Sequence, residues 1–183
     1  MSKRTILLVG MVLAAAMAPL INHWPNLTPI GAMALFCGAC FADRRLAFLL
    51  PLAAMVLSDA VLGFTVYGMW SILAIQPVVY GCFLAYAAIG RWITNRRSFE
   101  QVGGGALAGA VFFFVVTNFA VWVGGHPGTH STTSLVQTYV DGIPFFRNMV
   151  IGDLAYSAVL FGGLALLESR LTCLRERTAP VPA

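Results

Sequence analysis

Basic residues punctuate this chain in clusters, and long apolar runs fill the spaces between them. Lys3 and Arg4 open it; Arg44 with Arg45, Arg91 with Arg96 and Arg97, and Arg170 with Arg175 and Arg177 follow. The intervening stretches suited to membrane helices are Thr5–Asn22, Pro29–Ala42, Leu46–Val66, Met69–Gly90, Val102–Val123 and Asn148–Glu168. An α-helix needs about 20 predominantly apolar residues to cross the hydrocarbon of a bilayer. Only the second stretch, at 14 residues, falls well short; it reads as a thin-spanning helix extended by Leu27 and Thr28, or as a re-entrant element. With six crossings, ten of the eleven basic residues share one side, and Arg147 alone lies opposite. The excess of Lys and Arg marks the cytoplasmic face. Dropping the second span would scatter these charges over both sides.

The fold expected is therefore an all-α integral membrane protein, one transmembrane domain over residues 1–183 with both termini cytoplasmic. Composition agrees. Hydrophobic residues make up 59% of the chain and charged residues 10%, against about 25% charged in soluble domains. One small core cannot bury so much apolar surface, so lipid is the expected solvent. The net charge of +4 comes from residues at the ends of apolar spans and does not indicate nucleic-acid binding. The opening MSKR with its apolar run imitates a signal peptide; a first membrane helix is the reading that the charge parity requires. Pro51 and Pro77 fall within the third and fourth spans, where they are expected to kink a helix and free carbonyls. No phosphate-binding G-x-x-x-x-G-K signature occurs, so the chain does not energise transport through an ATPase of its own.

The polar insertion Thr117–Asp153 holds most of the chemistry. It carries His126, His130, Arg147, Asp141 and Asp153, interleaved with Phe119, Trp122, Tyr139, Phe145 and Phe146. Residues 124–147 read as an outer loop over the bundle. A carboxylate at the centre of a membrane helix costs about 2.5–3.5 kcal/mol on the insertion scale, so Asp59 and Asp153, both placed in the outer part of a span, need a partner. Arg147 is the natural counter-ion for either. Asn118 offers a buried amide that binds a ligand or bridges helices. His23, His126 and His130 face outward without a carboxylate in ligand register, which argues against a dedicated zinc site. Cys37, Cys40, Cys82 and Cys173 lie in apolar segments or the basic tail, so a disulfide framework is not expected. Cys37 and Cys40 form a single C-x-x-C. Cys82, beyond Pro77 and flanked by Tyr80 and Tyr86, either faces a cavity as a soft metal ligand or packs as a small apolar residue. Asn26-Leu27-Thr28 matches a glycosylation sequon.

Five strings resemble, in order and spacing, a family of small six-helix bacterial proteins assigned to transport: NLTPIGAMALFCGACF, RRLAFLLPLAAMVLSDAVLGF, VYGCFLAYAAIGRW, FFFVVTNFAVWV and YVDGIPFFRNMVIGDLAY. That family is similar to the substrate-binding S components of energy-coupling-factor vitamin transporters, closest to the cobalamin-transporting BtuM type. The resemblance implies an S-component-like bundle in the bacterial inner membrane, with cobalamin as the transported ligand. A membrane cysteine would then be the cobalt ligand: Cys82, with Cys37 and Cys40 as alternatives. It also implies docking to an energy-coupling ATPase module through Ala14 and Ala18 on the first helix. A thiolate on cobalt would labilise the group on the opposite face, so cysteine-assisted removal of the upper ligand is an accompanying expectation. The binding surface expected around the ligand comprises Asp59, Tyr80, Tyr86, Asn118, Trp122, Tyr139, Asp141, Phe145, Arg147 and Asp153.

Two other functions compete. A proton- or ion-coupled small-molecule transporter would use Asp59 and Asp153 as carriers. An intramembrane enzyme is weaker, because the histidines sit in outer loops while Cys82 lies about 18 Å into its helix at 1.5 Å per residue.

Overall fold

The structure, a computed structural model, describes residues 2–16, 27–62, 75–93, 97–124 and 131–171. Over these residues the chain is all-helical, without a strand: α1 (Lys3–Ala16), α2 (Ile30–Cys40), α3 (Arg44–Leu62), α4 (Gln76–Ile93), α5 (Phe99–Val123) and α6 (Thr132–Arg170). By length and composition, α5 and the part of α6 from Ser134 onward are each able to cross a membrane.

The shortest helix is the hub. Every residue from Gly31 to Cys40 is buried, and α2 packs against all five other helices. Its sequence, IGAMALFCGAC, has no polar face, as expected of a helix enclosed on every side. Small residues let its neighbours come close. A Cβ on Gly38 would overlap the carbonyl oxygen of Ala87 on α4, and one on Gly90 would overlap that of Leu35. The two backbones therefore touch at a reciprocal glycine crossing, the small-residue packing that brings helices together without polar groups. Gly109 of α5 leaves room for the Tyr86 ring in the same way.

One end of the bundle is held by charge. Arg4 Nη1 donates to Cys40 O at 2.9 Å, and Arg91 Nη1 donates to Phe41 O at 2.7 Å. Glu168 Oε1 lies 3.2 Å from Arg4 Nη2 and 3.6 Å from Arg97 Nη1. Arg97 turns the chain between α4 and α5 with φ 37°. The start of α1, the ends of α2, α4 and α6, and the start of α5 thus meet at a single end. The helices run alternately up and down, and the chain enters and leaves the described bundle on the same side.

The expected helix boundaries change in three places. Leu27 and Thr28 are not helical and do not lengthen α2; Gly152 of α6 lies against their backbone instead. Pro77 does not kink the middle of a span, because it falls in the first turn of α4, where its missing N–H costs no helix bond. The largest change is at residues 124–147. From Thr132 onward this segment is helix, continuous with the expected sixth span, so α6 runs for 39 residues, about 58 Å at 1.5 Å per residue. A reciprocal capping box between Ser131 and Ser134 starts it, and Pro144 lies exposed within it. Ala18, His23, Asn26, Arg96, His126, His130, Cys173, Arg175 and Arg177 lie outside the described residues. So do parts of the expected first, third and fourth spans. Ala14 is exposed on α1.

The glycine crossing makes a sharp prediction. Gly38→Val puts a side chain into the Ala87 carbonyl and should destabilise the protein by about 3 kcal/mol or more, since backbone has no rotamer with which to yield. Gly104→Ala, where a Cβ meets open space, should be neutral or slightly stabilising. Thermal unfolding in detergent compares them. Equal midpoints for the two variants would rule out the crossing as a critical contact.

Candidate functional site

Asp153 lies near the middle of α6 and is 1% exposed. Its inward position follows from the spacing of Leu135, Tyr139, Gly142, Phe146, Met149, Asp153, Ser157, Leu160 and Leu164, steps of three and four that share one helix face. Two other helices converge on its carboxylate. Tyr86 of α4, fully buried, donates its hydroxyl to Oδ2 at 2.5 Å. The carboxylate lies against Gly31 in the first turn of α2, where the backbone N–H of Ala32 faces it. Gly31 leaves its space open, because a Cβ there would overlap the carboxylate. Pro29 at the N-cap of α2 makes no side-chain cap bond, so Asp153 caps α2 from another helix. A carboxylate at a helix N-terminus meets both free N–H groups and the positive end of the helix dipole. One turn further along α6, Ser157 Oγ is buried and has no hydrogen-bond partner among the described residues.

Asp59 forms a second, more open constellation. Its Oδ2 accepts from Gln76 Nε2 at 2.6 Å and from the Tyr80 hydroxyl at 2.9 Å. These bonds join the last turn of α3 to the first turn of α4. The expected counter-ion is corrected at both carboxylates. Arg147 is exposed and forms no ion pair with Asp59 or Asp153, because each carboxylate already holds neutral donors from neighbouring helices.

Between α5 and α6 lies a cavity of about 130 Å³. Phe113, Phe114 and Phe146 form its aromatic wall, and Phe145 and Val121, about half exposed, form its mouth. Thr117 and Met149, 8% and 7% exposed, lie deeper. The rings of Phe114 and Phe146 are 4.8 Å apart. Two polar side chains interrupt this lining. Thr117 Oγ1 donates to Phe113 O at 2.8 Å, and Asn118 Nδ2 donates to Phe114 O at 2.8 Å. Gly142 makes room for the Asn118 amide, whose oxygen a Cβ would overlap. Among the described residues no charged side chain lines the cavity.

Of the expected ligand-contacting residues, Asn118 and Phe145 line this cavity. Others join helices instead. Tyr139 donates its hydroxyl to Val115 O at 2.8 Å, and Trp122 Nε1 donates to Ser134 Oγ at 3.1 Å. Asp141 accepts from Gln137 on the exposed face of α6. Cys82 is 1% exposed and does not line the cavity. Of its two readings the structure favours packing as a small apolar residue, since Cys82 sits on the same buried face as Tyr86, one turn before it. Cys37 and Cys40 are also buried, and Arg97 Nη1 donates to Cys40 Sγ at 3.9 Å.

Sequence reasoning missed Phe113, Phe114, Thr117, Gly142 and Met149 in the cavity, and Gly31 and Ser157 around Asp153. The three-four spacing through Gly142, Phe146, Met149 and Asp153 was the available signal. It is hidden by the Gly-Ile-Pro sequence, which reads as a turn.

Removing one donor from a buried carboxylate carries a desolvation penalty of about 1–3 kcal/mol. Tyr86→Phe should therefore lower the unfolding midpoint, and Gly31→Ala, which displaces the carboxylate itself, should lower it at least as far. Gly103→Ala, in open space, is the control. A Tyr86→Phe protein that unfolds like the wild type would show that the hydroxyl does not stabilise Asp153.

No curated protein matches the chain, and neither does any solved structure. A family model does match, over residues 1–177, described as a family of unknown function (DUF6580). That match covers nearly the whole sequence, and the chain belongs to the DUF6580 family.

Proposed function

We propose that this protein is a six-span membrane bundle with both termini cytoplasmic, and that it binds a small molecule for uptake as the substrate-binding component of a micronutrient transporter. One observation carries the reading: five of the six described helices of the bundle expose large apolar side chains. Ile6 and Leu13 on α1, Leu49 and Leu57 on α3, Leu84 on α4, Val115 and Phe119 on α5, and Val159 and Leu166 on α6 are all exposed. Its centre holds Gly, Ala and Cys around a buried carboxylate. Soluble proteins rarely leave such continuous apolar surface to water; lipid covers it without cost. In this frame α2 is a short helix that begins inside the bundle after a non-helical stretch at Leu27–Pro29. Irregular backbone at that depth occurs where it is buried in protein or lines a cavity, and broken helices of this kind form binding sites in transporters.

The S-component resemblance supports the transport class and leads to cobalamin with cobalt on Cys82. The cavity favours a smaller ligand. A volume of about 130 Å³ is close to that of an engineered cavity, of roughly 150 Å³, that takes benzene, and Cys82 is not among its walls. A second reading, proton- or ion-coupled transport, draws on Asp153, since an ionisable residue inside a membrane bundle marks an ion or proton path by default.

Topology and ligand are tested together. In a cysteine-free background, Ser131→Cys should react with an impermeant maleimide from outside intact cells, and Ser98→Cys only after permeabilisation. The reverse pattern would overturn the orientation. Protein purified in mild detergent should release a stoichiometric small molecule on denaturation, identified by mass spectrometry. A pink corrin there would restore cobalamin. Uptake that stops with the proton gradient in the absence of an ATPase partner would favour the coupled transporter.

A further inference from the structure

Resting on the small-molecule reading above, we infer that the α5–α6 cavity takes a neutral, flat aromatic molecule of one or two rings that carries an N–H or O–H donor. Size sets the first limit. The cavity, about 130 Å³, lies below the roughly 300–1,000 Å³ of sites for drug-sized ligands. Shape sets the second. Phe113, Phe114 and Phe146 form the wall and Phe145 the mouth, so a flat ring stacks against or edges into them, an arrangement worth more than its buried area alone. Charge sets the third. No ionised side chain lines the cavity among the described residues, and Asp141 and Arg147 lie exposed on α6. A charged ligand would enter without a counter-ion and lose its hydration.

The polar edge defines the donor. A threonine hydroxyl has one proton and two lone pairs. The proton of Thr117 is directed to Phe113 O, so toward the cavity this hydroxyl acts only as an acceptor. Asn118 directs one N–H to Phe114 O and keeps its second N–H and its amide oxygen, the latter against Gly142. A ligand donor therefore finds an acceptor at Thr117, near the buried end of the cavity. An apolar ring of the same shape would leave the lone pairs of that hydroxyl without a donor, while its own bond to Phe113 O stays in place.

Indole, benzofuran and indole-3-acetate isolate the donor and the charge in molecules of nearly one shape. Binding is measured by saturation-transfer NMR and calorimetry on the full chain in nanodiscs, with empty nanodiscs subtracted for partition into lipid. Indole should bind saturably, once per chain. Benzofuran should bind roughly tenfold more weakly, the effect of one neutral hydrogen bond, and indole-3-acetate weaker still. Thr117→Val, close in shape, should bring indole and benzofuran within about twofold of each other. Val121→Trp, at the half-exposed mouth where it leaves the core untouched, should block both. Equal binding of indole and benzofuran by the wild type, or indole binding that survives Val121→Trp, would overturn the inference. If no probe binds while the purified protein carries another molecule that Val121→Trp displaces, the ligand class is wrong and the transport reading stands. If neither probes nor a co-purified molecule are found, that reading fails as well.

Discussion

The structure depends on how one short helix is completed by its neighbours. α2 has 11 residues, too few to be stable alone in water, and each end leaves four backbone groups without an intrahelical partner. Its own sequence supplies no cap at the start, where Pro29 stands, and no basic residue at the end. Asp153 brings a carboxylate to the N-terminus, and Arg4 and Arg91 bring cations to the carbonyls of Cys40 and Phe41. The signs match the helix dipole at both ends. Three other helices thus supply what α2 lacks, so α2 acquires its satisfied ends only as the bundle closes around it. The reciprocal contact of Gly38 and Gly90 with the Ala87 and Leu35 carbonyls serves the same closure, because the end groups reach α2 only if α4 approaches to backbone contact.

Much of the fold was legible in the sequence because apolar runs and basic clusters are one-dimensional signals. The helix class, the six helices and the return of the chain to one end all follow from where Arg4, Arg44, Arg91, Arg97 and Arg170 fall. The boundaries that shifted were set by tertiary context. Residues 124–147 read as an outer loop because they form a polar insertion between apolar runs, and Gly142 and Pro144 are poor helix residues. Yet Pro144 is exposed, and Gly142 is needed where Asn118 packs, so the helix continues and the three-four inward spacing holds from Leu135 to Leu164. Arg147 looked like the counter-ion for a buried acid because pairing by charge is visible in a sequence. Pairing by geometry, with a tyrosine two helices earlier in the chain and the first turn of α2, is not.

Asp59 and Asp153 show how similar sequence settings diverge. Both are aspartates in apolar helices, and each accepts a tyrosine hydroxyl from α4, Tyr80 for one and Tyr86 for the other. Asp59 lies in the last turn of α3 and fastens two helix ends. Asp153 lies near the middle of α6, against the start of α2, with a Ser157 hydroxyl one turn away that has no partner among the described residues. Position along the bundle, rather than residue type, makes one a brace and the other the polar centre.

The cavity and that centre are not independent. Met149, at the cavity floor, is one helical turn before Asp153 on the same face of α6. On the other wall, Phe113 lies 5.3 Å from Phe83 between ring centroids, and Phe83 stacks 5.7 Å from Tyr86, the donor to Asp153. Ring contacts through Phe83 therefore connect the cavity wall to the tyrosine that holds the carboxylate. Truncating Met149 or Phe113 would enlarge the cavity and loosen the cap together, and a loss of binding there would not distinguish ligand contact from stability. Thr117 and Val121 avoid this ambiguity. One borders the cavity with a hydroxyl that bonds within its own helix, and the other stands at the mouth, away from Tyr86. The physical separation between a wall that carries the fold and an edge that meets the ligand runs between these residues.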